Sequence, residues 1–359
     1  MQIVLVSTYA QSCGLATYSE ALRKALQELG HSVSVLAEVP LPASLRGAMA
    51  GIPDIPGVYR VWQRGHAYQA QHGLGAIVKA IKSSKTKPDV VHFQHEFGLF
   101  QDSGDFHRAL QELAAITRVV VTLHTVLLPP RQKTFFSNWP VGTSVVVHDG
   151  AQIASLQAWQ QPITTHIIPH GTTIRTKTSW HRHQTGPLKV LCPGFVSRSK
   201  AHGSMIAAVA ETDHLLTIAG ECRDDRYMTE LNNYIRDFGV ENQVKILDAF
   251  HSDQQMDDLF CDSDYVVLGS NFQVGKNDTP LFSVSGQVAT ARGYGIPIIA
   301  KNAPIYRSPG VLLYDDNHQC TTYMKAMEQH NTRVMLGALV SHNRTDWATV
   351  AAQHLAVYT

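Results

Sequence analysis

The strongest constraint in this sequence is an alternation of short β-branched runs with helical segments, which recurs in both halves of the chain. The first half contains MQIVLVS, HSVSVLA, DVVHFQ, RVVVTLH, TSVVVHD and THIIPHG, and the second contains LKVLCPG, HLLTIAG, QVKILDA, DYVVLGS and IPIIAKN. Continuous apolar runs separated by helices are typical of parallel strands that are buried on both faces. The sequence therefore predicts an α/β protein with two doubly wound parallel sheets.

The length of the chain supports this division, because 359 residues exceed what one ordinary core accommodates. The segment TTIRTKTSWHRHQTGP at 172–187 has neither strand nor helix periodicity and reads as a linker. We predict a first domain over 1–175, a second over 176–342 and a final helical segment over 343–359. Ligands are expected at the carboxyl ends of the strands, where the two domains would face each other.

Composition excludes several classes of protein. The formal charge of +1 argues against a strongly cationic nucleic-acid binder. No apolar run reaches the roughly 18 residues of a membrane span, and the N-terminus lacks the features of a signal peptide. The five cysteines are scattered and odd in number, which favours reduced thiols. We therefore expect a cytoplasmic protein without a transmembrane segment.

The stretch DVVHFQHEFG places polar residues at the end of a buried strand. A metal site is disfavoured, because positions 92 and 95 of a strand point to opposite faces. We predict that His92 is a hydrogen-bonded core residue and that His95 and Glu96, at the strand end, bind hydroxyl groups. His124 ends a neighbouring strand at the same edge, where it is either a core histidine or a functional one.

Two turns have the composition of phosphate-binding loops. Gly14 joins the first strand to the first helix and would let backbone N–H groups approach a phosphate, although a plain tight turn also needs a glycine. Arg198 and Lys200 follow the first strand of the second half. These cations would clamp a diphosphate or remain solvated surface charges.

A third turn, Ser285-Gly286-Gln287, precedes a helix in the second half. Small residues there expose free N–H groups that suit an anion, while an ordinary helix cap would have the same composition. Taken together, these features predict phosphate-binding turns in the second domain and hydroxyl-binding side chains in the first.

Five motifs are spread along almost the whole chain: CGLATY at 13–18, FQHEFGLF at 93–100, TLHTVLLPP at 122–130, IPHG at 168–171 and GFVSRSK at 194–200. Together they resemble the GT-B glycosyltransferases, and most closely a bacterial branch of glycosyltransferase family 4. QHEFGLF followed by TLHTV is specific, whereas IPHG and the glycine turns are not. The final DWATVAAQHLAVY is similar to the family's last helix, which crosses back onto the first domain.

The resemblance implies two Rossmann-like domains and transfer of a hexose from a nucleotide-sugar donor, with retention at the anomeric carbon. It implies neither a metal nor another cofactor. The donor would bind the second domain and the acceptor the first. By position, Gly14 would approach the donor diphosphate, His124 would contact the transferred sugar, and Lys200 would neutralise the leaving group.

Two departures from the family pattern concern the donor. The family's Gly-Arg is here Gly194-Phe195, so that Arg198 would be the second cation. The family's paired glutamates are absent; their places fall near Phe282 or Ser283 and at Thr290, which leaves Thr290 as a donor-binding candidate. A non-catalytic nucleotide-sugar-binding subunit and a sugar-nucleotide epimerase are the alternative functions.

The acceptor side of the sequence is basic in two places. Basic residues outnumber acidic ones between 43 and 88, and PPRQKTFFSNW at 129–139 combines Arg131 and Lys133 with aromatic residues. This mixture suits a phosphorylated lipid or a nucleic acid with a modified base, although a solvated face with core aromatics is the favoured interpretation of the pattern. With His95 and Glu96, Arg131 and Lys133 are our predicted acceptor-binding residues.

Overall fold

The computed structural model describes residues 1–11, 13–39, 54–100, 104–127, 139–157, 163–175, 186–270 and 281–359. The strands are β1 Gln2–Ser7, β2 Ser32–Glu38, β3 Val58–Trp62, β4 Val90–His95, β5 Arg118–Leu123, β6 Thr125–Leu127, β7 Ser144–Val147, β8 Thr164–Ile167, β9 Lys189–Pro193, β10 Leu215–Ala219, β11 Val244–Leu247, β12 Tyr265–Leu268, β13 Leu281–Ser283, β14 Ile298–Lys301 and β15 Val311–Tyr314. The helices are α1 Gly14–Glu28, α2 Leu74–Ser83, α3 Phe97–Phe100, α4 Gly104–Ala114, α5 Gly150–Gln157, α6 His202–Val209, α7 Asp225–Asp237, α8 Asp253–Cys261, α9 Gly286–Tyr294, α10 Asn317–Ala326, α11 His330–His342 and α12 Trp347–Tyr358.

The chain forms two compact units. Unit 1 comprises 1–171, 276–284 and 345–359, and unit 2 comprises 172–275 and 285–344. We predicted domains over 1–175, 176–342 and 343–359, which assigns 276–284 to the second domain. The described part of that segment instead forms β13, which pairs antiparallel with β6 in unit 1. A strand of three residues is too short to show a hydrophobic period, so the sequence did not indicate this exchange.

Unit 1 is built on a seven-stranded sheet in the order β3-β2-β1-β4-β5-β7-β8. Every neighbouring pair in it is parallel. One face packs against α2 and α4 through a core that contains Phe93 and Phe106, and the other packs against α1 and α12 through a core that contains Leu5 and Leu22. Burial on both faces explains why the strands read as continuous apolar runs.

Unit 2 is built on a six-stranded parallel sheet in the order β11-β10-β9-β12-β14-β15. The turns after β9 and β10 touch: a Cβ at Gly220 would lie 2.2 Å from the carbonyl oxygen of Gly194, and both glycines have positive φ. Only glycine fits this approach. The predicted α/β class with two Rossmann-like parallel sheets is confirmed.

Two further expectations concern cysteines and membranes. All five cysteines are free thiols. Among the helices of the described residues, none combines the length and the apolar character that crossing a bilayer requires.

Candidate functional site

Three histidines form a row at the carboxyl edge of the unit 1 sheet. His124, His148 and His170 follow β5, β7 and β8, which are adjacent strands. The ring centroids of His124 and His148 lie 4.9 Å apart, and those of His148 and His170 lie 5.7 Å apart. Tyr18 of α1 contacts all three rings, with centroids 4.7 to 5.5 Å away. The segments TLH, VVVH and IPH carried this signal, since a histidine follows each strand, but the prediction used only the first.

Hydrogen bonds hold the His124 ring in one orientation. His148 donates from Nδ1 to the carbonyl oxygen of Ile168 at 3.0 Å, so its neutral ring accepts at Nε2 from Nδ1 of His124, 3.2 Å away. Nε2 of His124 lies 2.9 Å from Oε1 of Gln94. Because that Nε2 then carries no proton, the network requires the opposite orientation of the Gln94 side-chain amide, with its nitrogen at this position. Burial, followed by the neighbouring histidines, lowers the pKa of His124 well below its ordinary value and keeps the ring neutral.

His92 lies in the interior, and the prediction for it is confirmed. Its side chain is fully buried, with Nδ1 2.7 Å from the hydroxyl of Tyr358 and Nε2 2.7 Å from that of Thr122. Burial lowers the pKa of His92 to about 3. Since Tyr358 belongs to α12, this bond and the one between Tyr18 and His354, 3.3 Å, attach the final helix to unit 1.

His95 does not join the histidine row. It is fully buried and packs against the rings of Phe97, Phe100 and Phe106, on the face of the sheet opposite to His92. Burial lowers its pKa to about 3. The strand end that we expected to expose this side chain to an acceptor is covered by the short helix α3, so His95 is placed in the core.

Glu96, the next residue, is close to the row. Its carboxylate accepts from the Thr125 hydroxyl at 2.7 Å and from the backbone N–H of Phe97 at 3.1 Å. Burial raises its pKa, and these two hydrogen bonds partly oppose that rise. Because Thr125 directly follows His124, Glu96 and His124 are positioned by the same short segment.

Gly14 occupies the first position of α1, after Cys13. Cys13 has an extended backbone and makes no side-chain capping bond, and a Cβ added at Gly14 would meet no atom within 4 Å. Packing therefore does not demand the glycine. The uncapped N–H groups and the helix dipole favour an anion at this position.

In unit 2, Lys200 is a largely buried cation with neutral partners. It ends the 3₁₀ turn Arg198–Lys200 after β9. Its Nζ donates to Oε1 of Gln287 at 2.7 Å and to the hydroxyl of Tyr306 at 3.4 Å. Across the described ranges, no carboxylate forms an ion pair with it. Burial lowers its pKa, as expected for a buried ammonium group that lacks a counter-ion.

Arg198 does not accompany Lys200. Its guanidinium makes a bidentate pair with Glu230, at 2.5 and 2.7 Å, and also bonds Asp224 at 3.1 Å. It lies over the ring of Tyr227 and lines a cavity of about 480 Å³ beside α7. Two carboxylates neutralise this charge in the structure, and the predicted contact of Arg198 with a diphosphate stays a prediction.

The start of α9 brings the third predicted turn to Lys200. Ser285 caps the helix by accepting a backbone N–H three residues later. Gln287 joins Lys200 to β9, since its amide nitrogen donates to the carbonyl of Pro193. The Thr290 hydroxyl donates to the carbonyl oxygen of Gly286, 2.9 Å away. Ser285 is thus an ordinary helix cap, and Gln287 is the residue of this turn that contacts Lys200.

The basic stretch between 43 and 88 is partly neutralised within unit 1. Arg64 makes a bidentate pair with the buried Glu38 at 2.5 and 2.7 Å. Lys82 pairs with Glu112 at 2.7 Å, and Lys87 donates to carbonyls at the end of α2. Arg131 and Lys133, the other predicted acceptor contacts, lie outside the described residues.

Within the part of the chain that the structure describes, no three or more His, Cys, Asp or Glu side chains converge as a metal site. The predicted metal independence stays a prediction.

Comparison with known proteins shows what the chain is similar to. The model of Glycosyltransferase Family 4 matches residues 13–176. Anabaena Alr3699/HepE in complex with UDP-glucose superposes with a TM-score of 0.65 at 15% identity, over 99% of this chain and 100% of that chain. The chain has the GT-B fold and resembles glycosyltransferase family 4.

Other GT-B structures are similar over the same length. The lipopolysaccharide outer core galactosyltransferase WaaB, in its apo form, has a TM-score of 0.67 at 13% identity, with 99% of each chain covered. An alpha-glucosyltransferase in complex with UDP and a 13-mer DNA containing an HMU base has a TM-score of 0.62 at 10% identity, again with 99% of each chain covered. No curated protein matches the sequence.

Proposed function

We propose that the protein transfers a hexose from a nucleoside-diphosphate sugar to a hydroxyl acceptor, with retention at the anomeric carbon and without a metal ion. The observation that carries the proposal is Lys200, a largely buried cation whose partners are the neutral Gln287 and Tyr306. A buried charge without a counter-ion is costly, and a bound diphosphate would supply one. The start of α9 adds backbone N–H groups of the polarity that a phosphate prefers.

In the proposed transfer, the bond between the anomeric carbon and the donor phosphate oxygen breaks, and the departing oxygen keeps the electron pair. Lys200 stabilises the charge that develops there. The acceptor hydroxyl forms the new bond on the same face of the sugar and passes its proton to that phosphate oxygen. Gly14 would lie near the diphosphate, as its uncapped helix start suits an anion.

Unit 1 would bind the transferred sugar and the acceptor. His124 and Glu96 are held by the neighbouring Gln94, His148 and Thr125, so their positions are set before a ligand arrives. Fixed polar groups of this kind lose little entropy on binding and suit the recognition of sugar hydroxyls.

The test is incubation with radiolabelled UDP-, GDP- and ADP-sugars, without added metal, in the presence of candidate acceptors. The acceptors are a lipid-linked saccharide, a free saccharide and an oligonucleotide with 5-hydroxymethyluracil. We expect slow donor hydrolysis without acceptor, and transfer with retained configuration in one arm. If no donor is turned over and no nucleotide raises the unfolding temperature, the proposal is wrong.

One observation favours a second candidate, a non-catalytic nucleotide-sugar-binding subunit. Phe282 or Ser283, together with Thr290, stands near the places of the family's paired glutamates, and the Thr290 hydroxyl is used within its own helix. This candidate predicts a thermal shift with nucleotide but no turnover by the isolated chain. The same incubation separates the two.

A further inference from the structure

The side chain of Gln152 connects four segments of unit 1. Gln152 is fully buried in the first turn of α5, where its backbone N–H bonds the Asp149 carboxylate at 2.8 Å. Its Oε1 accepts the backbone N–H of His148 at 2.7 Å. Its Nε2 donates toward three carbonyl oxygens, those of Leu123 at 3.4 Å, His124 at 3.3 Å and Phe282 at 3.2 Å. One amide therefore joins the ends of β5 and β7 to β13.

The carbonyl of Phe282 belongs to a small antiparallel ladder. In this ladder Thr125 pairs with Ser283, and Val126 with Phe282. Strands this short gain little from their own ladder, so their position depends on what anchors them. Gln152 lies beside His124, and its buried side chain contacts both the ladder and the His124 main chain.

The ring and the main chain of His124 are thus held by different groups. His148 and Gln94 hold the ring, whereas the backbone N–H bonds the carbonyl of His95 at 3.1 Å and the carbonyl faces Gln152. If Gln152 is lost, the ring retains its partners, but the carbonyls of His124 and Phe282 lose this shared donor.

We propose that Gln152 is a positioning residue for glycosyl transfer, which fixes the His124 carbonyl and the β6–β13 ladder in register at the sugar-binding edge. This inference rests on the proposed function. Displacement of a positioned group by about 1 Å can cost on the order of a hundredfold in rate. The nucleotide would bind unit 2, so Gln152 should influence turnover more than donor affinity.

The test uses two substitutions and one control in the full chain. Gln152→Met keeps the size and removes every hydrogen bond. Gln152→Glu keeps the acceptor for His148, and its buried carboxyl group donates a hydrogen bond only while it is protonated. Ser155→Ala is the matched control on α5, because the Ser155 hydroxyl is buried and has no hydrogen-bond partner among the described residues.

We expect Gln152→Met to lower kcat about a hundredfold with the donor KM changed less than about threefold. Gln152→Glu should be impaired at pH 8 and recover, relative to the wild type at the same pH, at pH 6. Ser155→Ala should keep wild-type kcat. A Gln152→Met variant that unfolds at a lower temperature yet keeps kcat within about threefold would show a merely structural residue and overturn the proposal.

Hydrogen exchange separates this inference from the proposed function. Gln152→Met should speed exchange at 125–127 and 281–283, and Ser155→Ala should not. Unchanged exchange in these segments overturns the positioning role even if the wild type proves inactive. If exchange is faster in Gln152→Met but the wild type shows no turnover, Gln152 does fix these segments and the proposed function is wrong. The inference of a role in glycosyl transfer would then be wrong as well.

Discussion

The carboxyl edges of the two sheets differ in charge. In unit 1 the edge is a row of histidines in which the buried His124 and His148 bond each other, and His148 also bonds the backbone. In unit 2 the edge holds the partly buried ammonium group of Lys200, bonded to the neutral Gln287 and Tyr306. A satisfied neutral network is rigid and suits an uncharged sugar, whereas an uncompensated cation favours an anion. This difference underlies the proposal that the unit 2 edge binds the diphosphate and the unit 1 edge binds the sugar.

The largest expected effect tests the unit 2 edge. Lys200→Ala should lower turnover by on the order of a hundredfold or more, because it removes the group that would stabilise the leaving diphosphate. Arg198→Gln is the control: its charge is already paired with Glu230 and Asp224, so turnover should change little. Steady-state rates of the two variants decide the matter. If Arg198→Gln is as damaging as Lys200→Ala, the ion pair must open during the reaction, and the contrast between these cations is wrong.

The next effect tests the unit 1 edge. His124→Ala and Glu96→Gln should each lower transfer about tenfold to a hundredfold without unfolding the protein, since both side chains are expected to contact the sugar or the acceptor. His95→Phe is the matched control, because it places a ring among the phenylalanines that already surround His95. Rates and circular dichroism distinguish loss of chemistry from loss of fold. Equal damage from His95→Phe would return His95 to the site.

A third comparison lies within unit 1, between the row and the residues beneath it. His92→Ala should cost stability first, by roughly 1–3 kcal/mol, because it leaves the Tyr358 and Thr122 hydroxyls without their partner. Urea unfolding measures the free energy, and the rate of the folded fraction should fall less than in His124→Ala. A full loss of activity at unchanged stability would move His92 from the core into the site.

The buried histidines also predict how the units respond to acid. Burial lowers the pKa values of His92, His95 and His148 to about 3, so between about 3 and their ordinary value near 6.5 the unfolded chain binds more protons than the folded one. Stability should therefore be greatest above pH 6.5 and fall on acidification, by about 1 kcal/mol per pH unit for each ring. Hydrogen exchange at pH 7.5 and 5.5 should show the larger loss of protection in unit 1. Equal losses in both units would rule out the buried histidines of unit 1 as the cause.

The smallest expected effect is none. Treatment with EDTA should leave turnover unchanged, since the proposed transfer stabilises the leaving group with Lys200 instead of a metal ion. Metal analysis of the purified protein is the accompanying control. Stoichiometric zinc, removed together with activity by the chelator, would contradict both the proposal and the reading of His92 and His95 as core residues.

Local pattern accounts for the parts of this protein that sequence reasoning predicted. Runs such as RVVVTLH are apolar at almost every position, which is typical of strands buried on both faces, so two parallel sheets could be inferred from the sequence. The opposite directions of His92 and His95 follow from the two-residue repeat of a strand. The position of His124 at a strand end followed from the same pattern, and the resemblance to glycosyltransferase family 4 came from motifs that are contiguous in the chain.

Tertiary structure alone decided which partners these residues have. Arg198 and Lys200 are two positions apart and both cationic, yet one is neutralised by carboxylates on α7 and the other is left with neutral partners. His95 was expected at an open strand end, and α3 covers it. Gln152 and Phe282 of β13 are 130 positions apart, and the side-chain amide of Gln152 donates to the carbonyl of Phe282. Pairing of this kind depends on how distant elements pack, and neither propensity nor period, which are local properties, records it.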